Sequence, residues 1–353
     1  VVVELGSRVG VEVELLAPRG ATRADVAGAI AEAAGGGVRP RFHRDSEPSA
    51  VPGMTAFRHL TRGFDVTGAD GAPLCSVVDD ITIVADLDRR APPLPGWHRV
   101  VTDDPRLLNL AARVCDPAAG LAEVLEPVAR LFGTRVTRTG AVHRVADADG
   151  ASVAMAAPLP GERHRPAEII TPPLVEGHGE ALERLLGPAR RLGCTVPAEA
   201  AVHLHFDAAP FRTPAAFAEV VALFEGWRDA LWRLFGTNRA CRRLAPPPAA
   251  LVDLVPVLRG LRTWDEARAA LDGVELSKYS DVNLLHVVRA PAVRDTLEVR
   301  ILPGSADAPT ILRQAAVVEG LLERCRTGGP VPRPSGRTEQ DAAVLARWGR
   351  KEW

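Results

Sequence analysis

Alternation is the clearest signal along the chain. In "VGVEVELL" (residues 9–16) valine and glutamate take turns, which is the period of a strand with one apolar and one polar face. "AVHLHFDA" (201–208) and "TLEVRIL" (296–302) repeat that pattern. "ITIVADL" (81–87), "AEIITPPL" (167–174) and "NLLHVVRA" (283–290) read as strands from their apolar runs, the second stopped by two prolines. Hairpin structure is expected over 134–157, with "DADG" (147–150) as a turn. Helical spacing covers 22–34, 105–114, 119–132, 177–192, 214–234, 248–259, 264–271 and 309–326. Thr22 ahead of Asp25, Thr213 ahead of Pro214, and Thr263 ahead of Glu266 supply start signals. "GGG" at 35–37 stops the first helix. Residues 38–73 are rich in turn formers and carry no assignable period. "RTGGPVPRPSGRT" (326–338) reads as a Gly/Pro linker and 339–350 as a short terminal helix. Strands interspersed with long helices predict one α+β domain over 1–327 with an antiparallel or mixed sheet. Residues 328–353 form the linker and last helix.

Side chains at i and i+2 on a strand share a face, about 7 Å apart. Three of the strands place polar pairs at that spacing: Glu12 with Glu14, His203 with His205, and Glu298 with Arg300. Taken singly, each reads as a half-exposed strand with its polar face in water. Glu-x-Glu, however, puts like charges on one face, which costs energy unless a positive group lies between them. Three such strands in one domain point to a shared polar face. Glu12, Glu14, Glu298 and a histidine would form a mostly oxygen ligand set, suited to Mg²⁺ or Mn²⁺ more than to zinc. Glu168, in "EIITPP", is a further carboxylate for a site holding more than one ion.

Composition narrows the field. The 353 residues carry 43 basic and 44 acidic side chains, a formal charge of -1, which gives no electrostatic case for nucleic acid or an anionic membrane. No apolar run approaches the length of a membrane span. The five cysteines are scattered, without a C-x-x-C pair, so reduced thiols and a cytoplasmic setting are expected. The opening "VVVELGSRVG" lacks the order of a signal peptide, and it lacks Met, so a few native residues are expected to precede it. Lysine occurs only at Lys278 and Lys351, and the single tyrosine is Tyr279, which makes "KYSDVN" (278–283) an unusual hexapeptide for this chain. There is no G-x-x-x-x-G-K-[ST] loop and no G-x-G-x-x-G between strand and helix. Nor is there a G-x-S-x-G or H-E-x-x-H motif. If ATP is handled, metals held by carboxylates must do it, with Arg and Lys on the phosphate oxygens.

In order along the chain stand "GVEVE" (10–14), "EIITPP" (168–173), "HLH" (203–205), "KYSDVN" (278–283) and "TLEVR" (296–300). Together these motifs resemble those of the putative amidoligase family, relatives of glutamine synthetase among the carboxylate–amine ligases. The resemblance spans about residues 9–325. It implies a glutamine-synthetase-like α+β fold, a curved and mostly antiparallel sheet backed by helices with the active site on its concave face. It also implies ATP-dependent amide formation through an acyl phosphate. Carried over by position, Glu14 and Glu168 resemble ligands of one Mg²⁺, and Glu12, His203 and Glu298 ligands of a second. Arg300 resembles the arginine that neutralises the transferring phosphoryl group. His205 is then a candidate for substrate contact, Arg239 in "GTNRACRRL" for phosphate or carboxylate, and Lys278 and Asn283 for phosphate or a neighbouring polar group. Asp207 is a supporting group or merely solvated. Asp79 or Asp80 in "VVDD", or Asp149, is a candidate for the amine site. The expected cofactors are ATP with Mg²⁺ or Mn²⁺, and the expected partners a small-molecule or peptide carboxylate and an amine. Residues 38–100 are the expected place for substrate-specific elaboration. Lys278 departs from relatives that carry arginine there; it offers a point charge without the planar fork. Two alternatives stand beside ligation: phosphoryl transfer to a guanidino or carboxyl acceptor, and a metal- or nucleotide-binding module without turnover.

Overall fold

The computed structural model describes residues 3–48, 56–102, 104–241, 243–289 and 294–349. The class is α+β, with a mostly antiparallel sheet that does not close on itself. The chain divides into two compact units, one of Val1–Val13, Thr171–Leu186 and Ala198–Trp353, the other of Glu14–Ile170 and Gly187–Pro197. The first strand, β1 (Val9–Leu16), is buried along its whole length, glutamates included.

In the unit built mainly on residues 14–170, Thr22 caps α1 (Arg23–Ala33) with the full capping box to Asp25. Then comes a long hairpin, β2 (Gly37–Pro48) and β3 (Ala56–Thr67), in register from Gly37↔Thr67 to Pro48↔Ala56. It occupies most of the stretch that lacked an assignable period, since its polar residues alternate with only a few apolar ones; residues 49–55 lie outside the described residues. β3 pairs along its other edge with β4 (Pro73–Val78) and then with β5 (His98–Val101). The strand expected at 81–87 is instead a run of turns. Asp80 takes the Thr82 N–H at 2.8 Å and the Thr82 hydroxyl as well, an Asx-type turn that bends the chain where extension should begin. α2 (Pro105–Val114) matches its expected span, while 119–132 yields only α3 (Glu126–Leu131) after a stretch of turns. β6 (Thr137–Thr139), β7 (Val142–Ala146) and β8 (Ser152–Pro158) form the expected hairpins, turning at Asp147–Gly150. β9 (Pro166–Ile170) pairs with β4. Leu60, Val100, Leu108, Val124, Leu125, Val145 and Ala156 are the centre of this unit's core, under α2 and α3.

In the other unit, after α4 (His178–Leu192), which begins there, come β10 (Ala201–Asp207) and α5 (Pro214–Gly226), capped by Thr213. The single helix expected to 234 is broken at Trp227, whose indole N–H donates to Pro332 O at 2.8 Å, and resumes as α6 (Arg228–Phe235). The next expected helix is also two, α7 (Ala249–Asp253) and α8 (Val255–Gly260), because Pro256 has no N–H to continue the ladder. α9 (Trp264–Ala270) has its Thr263–Glu266 capping box. The strand expected at 283–290 shrinks to β11 (Val282–Asn283) followed by α10 (Leu285–Val288); Asn283 Oδ1 accepts the Leu285 N–H at 3.1 Å and turns the chain, and residue 290 lies outside the described residues. β12 (Thr296–Pro303) and α11 (Ala308–Thr327) match expectation. The last helix, α12 (Thr338–Trp348), packs on α6 and α11, with Trp348 4.8 Å from Trp227. The Gly/Pro segment before it is tied down as well, since Val331 N–H donates to Glu219 at 2.6 Å. Strand order here is β11-β12-β10-β1. Among the described residues no helix is long and apolar enough to cross a membrane.

Candidate active site

The pairing of β1, β10 and β12 decides which polar side chains meet. Glu12 lies opposite His203, and His205 opposite Glu298, which in turn faces Asn283 on β11. The β10–β12 register slips between Val202 and Leu204, at His203; such irregularities re-aim a side chain. Glu12, His203, Asn283 and Glu298 are all buried, which rules out solvated polar faces for these strands.

Contacts inside the cluster are short. His203 Nδ1 is 3.2 Å from Glu12 Oε2 and 3.8 Å from Glu298 Oε1. His205 Nε2 is 3.1 Å from Glu12 Oε1, an ion pair without hydrogen-bond alignment, while its Nδ1 is 3.2 Å from Thr296 Oγ1. Arg300 donates to Glu298 Oε1, and Asn283 Nδ2 to Glu298 Oε2 at 2.7 Å. Arg294 donates from Nη1 to Glu12 Oε1 at 2.8 Å. Glu12, His205 and Glu298 each offer a ligand atom, and these atoms lie within 4.8 Å of one another.

Electrostatics follow from the contacts. Burial works to protonate Glu12, but His205 and His203 outweigh it and hold the carboxyl well below its ordinary range. Burial opposes ionisation of Glu298 too, yet Arg300 and the histidines bring it to about 2 against the repulsion of Glu12. His205 is pushed down by burial and raised on balance by Glu12. His203 is lowered by burial and by Arg300. Two ionised carboxylates thus stand in a buried pocket of cationic and imidazole groups, a donor set that a hard divalent cation fits.

Glu14 is buried two residues beyond Glu12 on β1, and Glu168 is half-buried on β9 opposite Val78. Lys278 is exposed, its ammonium 5.2 Å from the Tyr279 ring centroid, with Arg243 5.0 Å from the same ring. Arg239 is exposed in the turn after α6. Asp207 accepts the Ala209 N–H at 3.0 Å and pairs loosely with Arg8. Asp149 is exposed in its turn. Asp80 is buried and bound by Thr82, its pKa raised by burial. Asp79 lies between Arg23 at 2.6 Å and Arg163 at 2.7 Å, an internal ion cluster capped by the Trp97 ring 4.9 Å from the Arg23 guanidinium. Sequence reasoning passed over Arg294, although its parity matches Thr296, Glu298 and Arg300. Extending the alternation two residues upstream of β12 would have found it.

Residues 6–321 match the model of a family described as "Putative amidoligase enzyme". The chain belongs to that family. No curated protein matches it. In this member of the amidoligase family, the His-x-His pair, the first glutamate of Glu-x-Glu, the Asn of "KYSDVN" and the Glu-x-Arg pair come together as one hydrogen-bonded cluster.

Proposed function

We propose that the protein is an ATP-dependent carboxylate–amine ligase working through an acyl phosphate, on a glutamine-synthetase-like scaffold. Family membership supports ligase chemistry. The observation that carries the reading further is the buried pair of glutamates, Glu12 and Glu298, whose ligand atoms lie within 4.8 Å of one another and of His205 and which are flanked by arginines. Glu12, Glu298 and the histidine pair would hold one Mg²⁺ or Mn²⁺, and Glu14 with Glu168 would hold another. Such an ion, when bound, supplies charge neutralisation to the triphosphate. Arg300, only 12% exposed and held on Glu298, would neutralise the transferring phosphoryl oxygens.

The reaction balances without a redox partner. A substrate carboxylate oxygen attacks the γ-phosphorus, and ADP leaves with the bonding pair. The amine nitrogen then attacks the acyl carbon, phosphate leaves, and the nitrogen gives up a proton. Lys278 and Arg239, both exposed, are the proposed contacts for outlying anionic oxygens. The substrates would be a small-molecule or peptide carboxylate and an amine.

The test is ADP release from ATP and Mg²⁺ over panels of acids and amines. Ligation requires that both substrates be present, and hydroxylamine in place of the amine should yield a hydroxamate. Phosphoryl transfer to a stable acceptor would consume ATP with no hydroxamate. Absence of ATP turnover with every pair, with Glu298→Ala binding ATP as well as wild type, would sink the ligase reading.

A further inference from the structure

No motif accounts for Arg294, yet its guanidinium lies directly on Glu12. Each central carboxylate has one oxygen against an arginine, Glu12 against Arg294 and Glu298 against Arg300. The two arginines are held differently. Arg300 is a strand residue, its side chain 12% exposed and its N–H donated to Asp281 O at 3.0 Å. Arg294 precedes β12, and its side chain is 50% exposed.

The residue after Arg294 is held through its backbone and its side chain. Asp295 O accepts the Ala208 N–H at 3.1 Å, and the Asp295 carboxylate is held by the Arg212 guanidinium. Arg212 in turn donates to the Val287 and His286 carbonyls, both at 3.3 Å. The half-exposed position of the Arg294 guanidinium leaves room for a side-chain rotation. The oxygen it holds, Glu12 Oε1, is the one that faces His205 Nε2 at 3.1 Å. Glu12 Oε2 is engaged by His203. An ion taking Glu12 Oε1 together with His205 and Glu298 brings its charge beside a cation already hydrogen-bonded to that oxygen, and of the two arginines the half-exposed Arg294 is the one with room to move away.

We propose that Arg294 is an internal competitor for the divalent cation. It neutralises Glu12 while no ion is bound and swings off Oε1 as the ion enters. Its guanidinium then stands at the mouth of the cluster, available to an anionic substrate oxygen such as a phosphate. The inference rests on reading Glu12, His205 and Glu298 as a cation site, and it adds a residue that tunes the affinity of that site.

The experiment is Mn²⁺ binding to the full chain without nucleotide, read by the loss of the free-ion EPR signal, for wild type, Arg294→Gln, Arg294→Lys and Glu298→Gln. Removing a competitor of partly exposed ion-pair strength should tighten Mn²⁺ binding in Arg294→Gln about two- to five-fold. Arg294→Lys, which keeps a charge but loses the planar fork, should fall between wild type and Arg294→Gln. Glu298→Gln should bind more weakly than wild type. Mn²⁺ binding by Arg294→Gln where wild type shows none also supports competition. If wild type binds Mn²⁺ and Arg294→Gln binds it equally or less tightly, the competition is overturned while the cation site stands. If neither chain binds Mn²⁺, both fall.

Discussion

Asn283 donates from Nδ2 to Oε2 of Glu298 at 2.7 Å, and both side chains are buried. The same amide accepts the Leu285 N–H through Oδ1, so Asn283 ties the turn after β11 to the orientation of the central carboxylate. With Arg300 on the other oxygen, Glu298 is fixed in one rotamer. Supporting partners of this kind commonly account for 10- to 100-fold in metal affinity or activity. Asn283→Ala should therefore lower ADP release by about that factor. Asn283→Asp, which sets a carboxylate against Glu298, should be worse in both turnover and Mn²⁺ affinity. Equal turnover by Asn283→Asp and wild type would show that this hydrogen bond does not orient the site.

Asp79 is paired with two arginines in the interior, and Arg23 is fully buried. Burial alone would raise the Asp79 pKa, but Arg163 and Arg23 hold it below its ordinary value. Asp79→Asn leaves the buried Arg23 guanidinium, and the partly buried one of Arg163, without their counter-charge, a loss of roughly 3–5 kcal/mol. Urea unfolding followed by circular dichroism should show a midpoint far below that of wild type. A variant as stable as wild type but unable to use the amine would instead return Asp79 to the amine site.

His98, buried on β5, is pushed down to about 4 by burial, with Arg62 and His143 adding repulsion. The unfolded chain takes up this proton at about 6.5. Between those values the unfolded state binds more protons than the folded one, so stability rises with pH across the window and is lost as pH falls from about 6.5 towards 4. The contribution is on the order of 3 kcal/mol. His98→Phe should flatten the melting temperature against pH in that window, relative to wild type. An unchanged slope would mean that another group carries the acid sensitivity.

The parts of the fold that could be read in advance are those fixed by neighbours in sequence. The alternation in β1, β10 and β12 placed Glu12, His203, His205, Glu298 and Arg300 on strands, and the capping boxes at Thr22 and Thr263 placed two helix starts. Local pattern misleads where one polar side chain redirects an apolar run, as Asp80 does before 81–87 and Asn283 does before 284–289. The long hairpin of β2 and β3 is opaque because its polar residues alternate with only a few apolar ones, and two of those polar residues, His59 and Thr61, are buried. Burial of Arg23 between Asp79 and Trp97 depends on residues far apart in sequence, and no local pattern encodes it.

Lys278 shows how far composition alone can be pressed. It is one of only two lysines, and it sits beside the single tyrosine. The structure gives that proximity a form, with ammonium and Arg243 guanidinium both about the Tyr279 ring. An exposed cation–π contact contributes about 0.5–1 kcal/mol, so Lys278→Ala should barely change the melting temperature. If Lys278 contacts an anionic substrate oxygen, the same substitution should cut kcat/KM about tenfold or more, since charge-assisted bonds are the stronger ones. Lys278→Arg, retaining the charge, should recover part of that loss. Steady-state ADP release with the cognate acid and amine separates the outcomes: unchanged kcat/KM in Lys278→Ala assigns the lysine to the ring alone, whereas a drop rescued by arginine and not by Lys278→Met assigns it to the substrate through its charge.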